Sequence, residues 1–367
     1  MTKEIIQKRI NAVRQLLNKK KIACFLTTKQ PNVTYLTGFL GHDSWAVVAP
    51  GNVYLLTDSR YIEQALKECH CCKILQRIDT LHDTLAALLK KHPSVRSVAV
   101  EDSILLRDFE LLKKKARVRF YTVSKIVEPS RSIKDHTELA AIKKAIVISA
   151  KALKQTLKDL RPGMTENEVA GMLDFQFRKF GGRNGFDTIL AFGPNASRCH
   201  HQPGLTKLKE NDTVLVDFGA EYDHYRCDMT RCFLVGRPNP FFEKVYNVVK
   251  EAQAAAIKLI KPAAPNKLME KVARETISKY DLIPYQHGTG HGFGLEIHED
   301  PFLAIKSKEK LQEGMVLTVE PGIYLPGQMG VRIEDNVLIT KNGCKVITTA
   351  VPKDFNSICL GDITKKR

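Results

Sequence analysis

Two stretches in the second half of the chain superpose without a gap. "LKENDTVLVDFG" (Leu208 to Gly219) and "LQEGMVLTVEPG" (Leu311 to Gly322) are related by an offset of 103 residues. Each is a polar turn, a β-rich apolar run, a carboxylate and then a glycine two residues on. The carboxylates are Asp217 and Glu320. A second acid follows each, Asp228 after 11 residues and Glu334 after 14. Upstream of each copy a basic-Pro element leads into a helical pattern, "RPGMTENEVAGMLDFQF" and "KPAAPNKLMEKVARETI". Thr165 with Glu168 forms a capping box at the first. Such a chain is expected to fold as two related αβ halves facing each other. That arrangement brings two pairs of acids together across a pseudo-two-fold axis.

An acid at the end of an apolar strand costs free energy unless it is paired or metal-bound. Asp217, Asp228, Glu320 and Glu334, with one histidine, are hard oxygen ligands plus a nitrogen. That set suits two divalent ions sharing bridging carboxylates. The histidines cluster in "HGTGHGFGLEIHE", from His287 to Glu299. His287 and His291 have the i, i+4 spacing of a zinc helix. Yet the position after His287 is Gly288, and four alternating glycines argue against a helix. As an extended segment, His287 and His291 share one face. His298 has the opposite parity and needs a bend or bulge to join them.

The first third reads differently. "IACFLTT", "SWAVVAP" and "NVYLLTD" are short strands split by turn signals. "VRSVAVE" and "VRFYTVS" are two more. "LHDTLAALLKKH" and "DFELLKKKA" are amphipathic helices, so the region is an α/β layered domain. "VEPSRSIKD" is a linker, after which Asp135 and Glu138 open a long helix. The expected domains are 1–130 and 131–367. "ECHCCK" (Glu68 to Lys73) lacks a second ligand pair at metal-finger spacing and reads as a buried strand edge.

At 367 residues and 43% hydrophobic, the chain can bury a two-domain core. No apolar stretch is long enough to span a membrane. The N-terminal segment reads as an amphipathic helix with Ile6, Ile10, Val13 and Leu17 on one face, not as a signal peptide. Nine scattered cysteines suit reduced thiols, and the expected compartment is the cytoplasm. The formal charge of +17 is spread in short runs without interleaved aromatics, so no nucleic-acid or membrane partner is expected.

"VLVDFGA" with "CDMTR", "GTGHGFGLEIHE", "TVEPGIY" and "GVRIEDNVLIT" resemble the pita-bread metallopeptidases, and within them the Xaa-Pro branch of aminopeptidase P and prolidase. "NVTYLTGF" and "TDSRYIEQA" are similar to that branch's N-terminal, creatinase-like domain, and "FDTILAFGPNAS" to the segment before its catalytic core. The resemblance covers nearly the whole chain. It implies a creatinase-like α/β domain followed by a pita-bread α/β (α+β) catalytic domain. It also implies the metal ligands Asp217, Asp228, His291, Glu320 and Glu334, with Asp228 and Glu334 bridging. By the same resemblance His298 contacts the scissile carbonyl and Glu320 is the general base. His287 and His200 line the substrate pocket, with Tyr324 and Arg332 beside it or behind it. Where the family usually has Pro-His, this chain has "RCHHQP". Alignment on Pro203 selects His200, with His201 as the alternative.

The activity implied is hydrolysis of an Xaa-Pro bond at a peptide N-terminus, by a water activated between two divalent ions. Mn²⁺ is expected first, with Co²⁺ or Zn²⁺ as alternatives. Aminopeptidase P is the leading reading and prolidase, acting on Xaa-Pro dipeptides, the alternative. A methionine aminopeptidase is disfavoured by the large N-terminal domain and by "RIED". Creatinase, and binding modules on this fold, are disfavoured by the complete ligand set. The resemblance also implies a homodimer, with "GFLGHDSW" (Gly38 to Trp45) as a candidate rim segment.

Overall fold

A computed structural model describes residues 2–237, 239–361 and 363. It divides into two compact units, Met1–Arg131 and Ser132–Arg367.

The first unit is built on a six-stranded sheet. Its order is Lys73–Gln76, Val53–Thr57, Trp45–Val48, Phe25–Thr27, Ser97–Glu101 and Arg119–Val123. Trp45–Val48 runs antiparallel to both neighbours and the remaining pairs are parallel. The apolar runs are explained by burial on both faces. Val47 and Leu56 join one core cluster with Leu85, Leu89 and Leu112 from the helices Leu81–Lys90 and Leu106–Lys115. Ala46 and Leu55, one residue out of phase, join another with Val33, Phe39 and Ala65. The helix Lys3–Lys19 buries Ile6, Ile10, Val13 and Leu17, the face read from its spacing.

Two expectations fail here. Trp45 starts its strand and is only 7% exposed, edge-on to His82 at 4.8 Å between ring centroids. It is a core residue of its own unit, not an exposed aromatic at a loop tip. A tryptophan flanked by Asp43 and Ser44 reads as a rim only while its inward-facing strand neighbours are unknown. The second failure is "ECHCCK". Residues 69–72 form a turn before Lys73–Gln76, and of their three cysteines only Cys69 is buried.

The second unit carries the repeat as paired structure. The long helix His136–Asp159 is opened by Asp135 and Glu138 in a reciprocal capping box, and Glu166–Lys179 by Thr165 and Glu168 in another. These two helices pack together, as do Pro240–Lys258 and Asn266–Ser278. Equivalent hydrogen bonds recur between the halves. Gly163 N–H donates to the Leu208 carbonyl as Ala263 N–H does to Leu311, both at 2.8 Å. Glu166 N–H donates to Thr206 and Asn266 N–H to Glu309, at 3.1 and 3.2 Å. Isolated bridges Thr165–Lys207 and Pro265–Lys310 complete the correspondence.

Each copy of the repeat supplies a central strand. Thr213–Phe218 lies between Ile189–Phe192 and Met229–Val235 in one sheet. Val316–Val319 lies between Gly290–Gly292 and Asp335–Thr340 in the other. No helix among the described residues is long and apolar enough to cross a membrane.

Trp45 is the chain's single tryptophan, so its fluorescence reports on the first unit alone. Its emission should be blue-shifted in the native protein and should move to the red only when that unit unfolds. Trp45→Ala should cost about 3–5 kcal/mol of that unit's stability, measurable by denaturant titration followed by circular dichroism.

Candidate functional site

The four repeat acids meet where the two sheets' strands end. Asp217 lies in Thr213–Phe218, opposite Thr230 of the antiparallel neighbour. Asp228 immediately precedes that neighbour, Met229–Val235. Glu320 follows Val316–Val319, and Glu334 precedes Asp335–Thr340. His291 comes from Gly290–Gly292, beside Val316–Val319.

The glycines around His291 have a specific reason. A Cβ on Gly290 would collide with the Thr318 carbonyl oxygen, and one on Gly292 with that of Asp300. Only hydrogen fits where the histidine strand is squeezed between its neighbours. His298 reaches the site by a chain reversal. Gly290–Gly292 pairs antiparallel with Glu299–Leu303, with a register irregularity after His291. The return places the His298 ring 4.4 Å from that of His291. The parity problem is thus solved by a hairpin and not within one strand.

Ligating atoms of Asp228, His291 and Glu334 lie within 4.8 Å of one another, and all three residues are buried. His291 Nε2 is 3.6 Å from Asp228 Oδ2 and 3.3 Å from Glu320 Oε1. Its Nδ1 is 3.0 Å from the Gly292 carbonyl oxygen, an acceptor only, so Nδ1 carries the proton and Nε2 faces the acids. Two carboxylate oxygens, Asp217 Oδ1 and Glu334 Oε1, are buried without a hydrogen-bond partner. The other oxygen of each is held: Thr230 Oγ1 donates to Glu334 Oε2 at 2.7 Å, and Arg332 Nη2 to Asp217 Oδ2 at 2.6 Å.

Orphaned anionic oxygens in a buried cluster call for a cation. Burial is the largest influence on Asp228 and Glu334, and the neighbouring carboxylate charges add to it, pushing both well above the ordinary range. Burial also acts on Glu320, but the hydrogen bond and charge of His291, with His287 and Arg332, outweigh it and hold this acid low. The donor set, four acids and one imidazole, fits divalent ions.

Beside the acids opens a cleft of about 310 Å³. His200, His287 and His298 line it, together with Phe186, Ile189, Ile297 and Phe302. His201 instead turns inward, buried, with Nε2 2.9 Å from Glu166 Oε2. His287 sits in a directional chain. Arg332 Nη1 donates to the Tyr324 hydroxyl at 2.8 Å, so that hydroxyl directs its own hydrogen to His287 Nε2 at 3.0 Å. His287 Nδ1–H then donates to the Gly288 carbonyl at 2.8 Å. Burial lowers the basicity of His287 and favours the neutral ring this chain requires. Arg332 also donates to Thr230 Oγ1 at 2.9 Å and to the Cys199 carbonyl at 3.2 Å. Its guanidinium therefore fixes Asp217 and Tyr324 and does not project into the cleft as a free charge.

The apolar lining was not assigned from sequence. Phe186 and Ile189 both fall in "FDTILAFGPNAS", but nothing local marks them as pocket residues. Phe302 becomes visible only through its register opposite His291. Thr230 and Thr318 were missed for the same reason. Thr318 Oγ1 accepts from His291 N–H at 3.0 Å and donates to Glu320 Oε1 at 3.2 Å.

Residues 140–341 match metallopeptidase family M24, and residues 9–133 match the creatinase/prolidase N-terminal domain. The chain belongs to metallopeptidase family M24, on a creatinase-like and pita-bread two-domain fold. It is 33% identical over 350 residues to an Xaa-Pro dipeptidase of Pyrococcus horikoshii, covering 94% of this chain and 98% of that one. Among solved structures it resembles an Xaa-Pro dipeptidase from Bacillus anthracis, with a TM-score of 0.91, 33% identity and coverage of 95% and 99%. It also resembles an X-Pro aminopeptidase from Thermotoga maritima, with a TM-score of 0.86, 33% identity and coverage of 93% and 98%.

The crowding of acids has a sign that can be tested without metal. A carboxyl raised by folding binds more protons in the native than in the unfolded state. Stability then falls as pH rises from the ordinary carboxylate value toward the raised one. In chelator, Glu334→Gln should therefore be more stable than the wild type at neutral pH. The gap should close as pH falls to about 4, as read from melting temperatures across pH.

Proposed function

We propose that this enzyme hydrolyses the bond between an N-terminal residue and a following proline, with Xaa-Pro dipeptides among its substrates. The observation that carries the reading is a buried carboxylate–imidazole cluster with orphaned oxygens, opening on an imidazole-lined cleft, in a family M24 chain. The similarity to Xaa-Pro dipeptidases of Pyrococcus horikoshii and Bacillus anthracis supports the dipeptidase better than the aminopeptidase P reading that the motifs put first.

In this proposal Asp217, Asp228, His291, Glu320 and Glu334 hold two divalent ions, Mn²⁺ by preference because oxygen donors dominate. When bound, such ions lower the pKa of water and polarise a carbonyl. Glu320, kept ionised by His291, accepts the proton of the attacking water and passes it to the proline nitrogen as that bond breaks. His298, beside His291, donates to the oxygen on which charge develops. The amide before proline has no N–H and a restricted backbone, so recognition must come from the ring's shape. His200 and His287 supply walls for that ring, and Tyr324, held by Arg332, orients His287 from behind. A homodimer acting in the cytoplasm completes the proposal; light scattering should give twice the chain mass. The direct test of activity is cleavage of Xaa-Pro against Xaa-Ala peptides by the Mn²⁺-loaded protein, where equal rates would sink the proline reading.

Asp228→Ala should abolish activity and lower bound metal as measured by elemental analysis. His298→Ala should keep its metal and lose about 10²–10³ in kcat, the usual cost of one oxyanion donor. Loss of metal with kcat retained would instead make His298 a ligand.

A further inference from the structure

His298 ends the chain reversal 293–298 that joins Gly290–Gly292 to Glu299–Leu303. Within the described residues no hydrogen bond orients its ring, which meets His291 edge-on. The backbone of the reversal therefore sets where the ring stands over the cleft. Two cations hold that backbone. Arg226 donates its N–H to the Gly294 carbonyl at 3.0 Å and a guanidinium N–H to the Leu295 carbonyl. On the other side, Lys134 Nζ donates to Glu299 Oε2 at 3.2 Å. Glu299 Oε1 accepts the Glu296 N–H at 2.8 Å, so one carboxylate closes the reversal and ties it to the lysine.

Lys134 is itself fixed. Its N–H donates to the Gly314 carbonyl at 2.9 Å, beside the bridge Ile133–Met315, just before the strand that leads to Glu320. Asp135, the next residue, caps the long helix. The lysine and Glu299 belong to the same unit, and their side chains are 1% and 7% exposed. Gly294 leaves the room for them: a Cβ there would come within 3.2 Å of the Lys134 side chain and 3.3 Å of the Glu299 carboxylate. A buried ion pair is a poor device for stability, because apolar residues of the same volume often serve as well or better. What it does impose is one geometry. Glu299 turns inward to the lysine while His298, one residue before it, lines the cleft.

We infer that Lys134, through its ion pair with Glu299, is a positioning residue for His298, fixing the reversal that holds that ring over the cleft. This rests on the reading of His298 as the donor to the developing oxyanion and adds what keeps it in place. Lys134 does not line the cleft and acts only through Glu299.

The experiment follows Ala-Pro cleavage by the Mn²⁺-loaded full chain for the wild type, Lys134→Met, His298→Ala and the two combined. Misplacing a reacting group by about 1 Å costs on the order of 10²-fold, so Lys134→Met should lower kcat by about that factor. KM and bound metal, the latter by elemental analysis, should stay at wild-type levels. In the His298→Ala background the same substitution should lower kcat no further, since residues acting as a unit are not additive. Lys134→Met leaves Glu299 charged and buried, which can unfold the chain. Lys134→Met with Glu299→Gln removes both charges, while the amide oxygen still accepts from Glu296 N–H. That pair should show the same fall in kcat at a melting temperature nearer the wild type. Failure of this neutral pair to fold would make the contact a requirement of the fold and overturn the inference. It is overturned too if kcat is unchanged, if bound metal falls, or if kcat drops by the same factor with and without His298. A His298→Ala variant with wild-type kcat would remove the oxyanion reading itself, and this inference with it.

Discussion

Like charges that cannot escape one another organise the second unit. Four carboxylates converge there, and Asp228 and Glu334 are both pushed up by burial and by the charges of neighbouring carboxylates. Such a cluster is a standing cost to the folded chain until a cation occupies it. Everything nearby serves to keep the acids in place at that cost. Thr230 holds Glu334, Arg332 holds Asp217, Thr318 bridges His291 and Glu320, and the Asn336 amide bonds the Asp228 backbone. The site is paid for by the repeat, because two rigid sheets supply one pair of acids each.

Much of this was legible in the sequence because it is local or repetitive. The gapless offset of the two copies predicted paired halves, and the capping boxes at Asp135 and Thr165 fixed two helix starts. Acids that end apolar runs announce the cluster from the sequence alone. What was not legible depends on which strand lies beside which. Phe302 gains its role from pairing with His291, and Thr230 from pairing with Asp217. Trp45 shows the reverse error. It ends the candidate rim segment "GFLGHDSW", whereas its strand places the ring in a core beside His82. Alignment of "RCHHQP" on Pro203 selects His200, and the structure agrees, because the buried Glu166 carboxylate engages His201 and leaves His200 to the cleft.

The path from Arg332 through Tyr324 to His287 sets that histidine apart from His298. Each hydrogen bond in it has one allowed direction, set by an arginine that can only donate and a carbonyl that can only accept. A ring in that path is locked in one tautomer. His298, edge-on to His291 and outside the path, keeps its nitrogens for whatever enters the cleft.

The spacing between the paired acids is not equal in the two halves. Between Asp217 and Asp228 stand the short strands Ala220–Tyr222 and Tyr225–Arg226. Between Glu320 and Glu334 stands a longer hairpin, Gly322–Leu325 with Met329–Arg332, and it carries both Tyr324 and Arg332. The three residues by which the second interval exceeds the first, 14 against 11, thus enlarge the hairpin that carries part of the pocket wall. Symmetry conserves the ion-holding frame and its breakage supplies a sidedness. Changes confined to that one hairpin can therefore alter what the cleft admits while the strands that carry the four acids stay as they are.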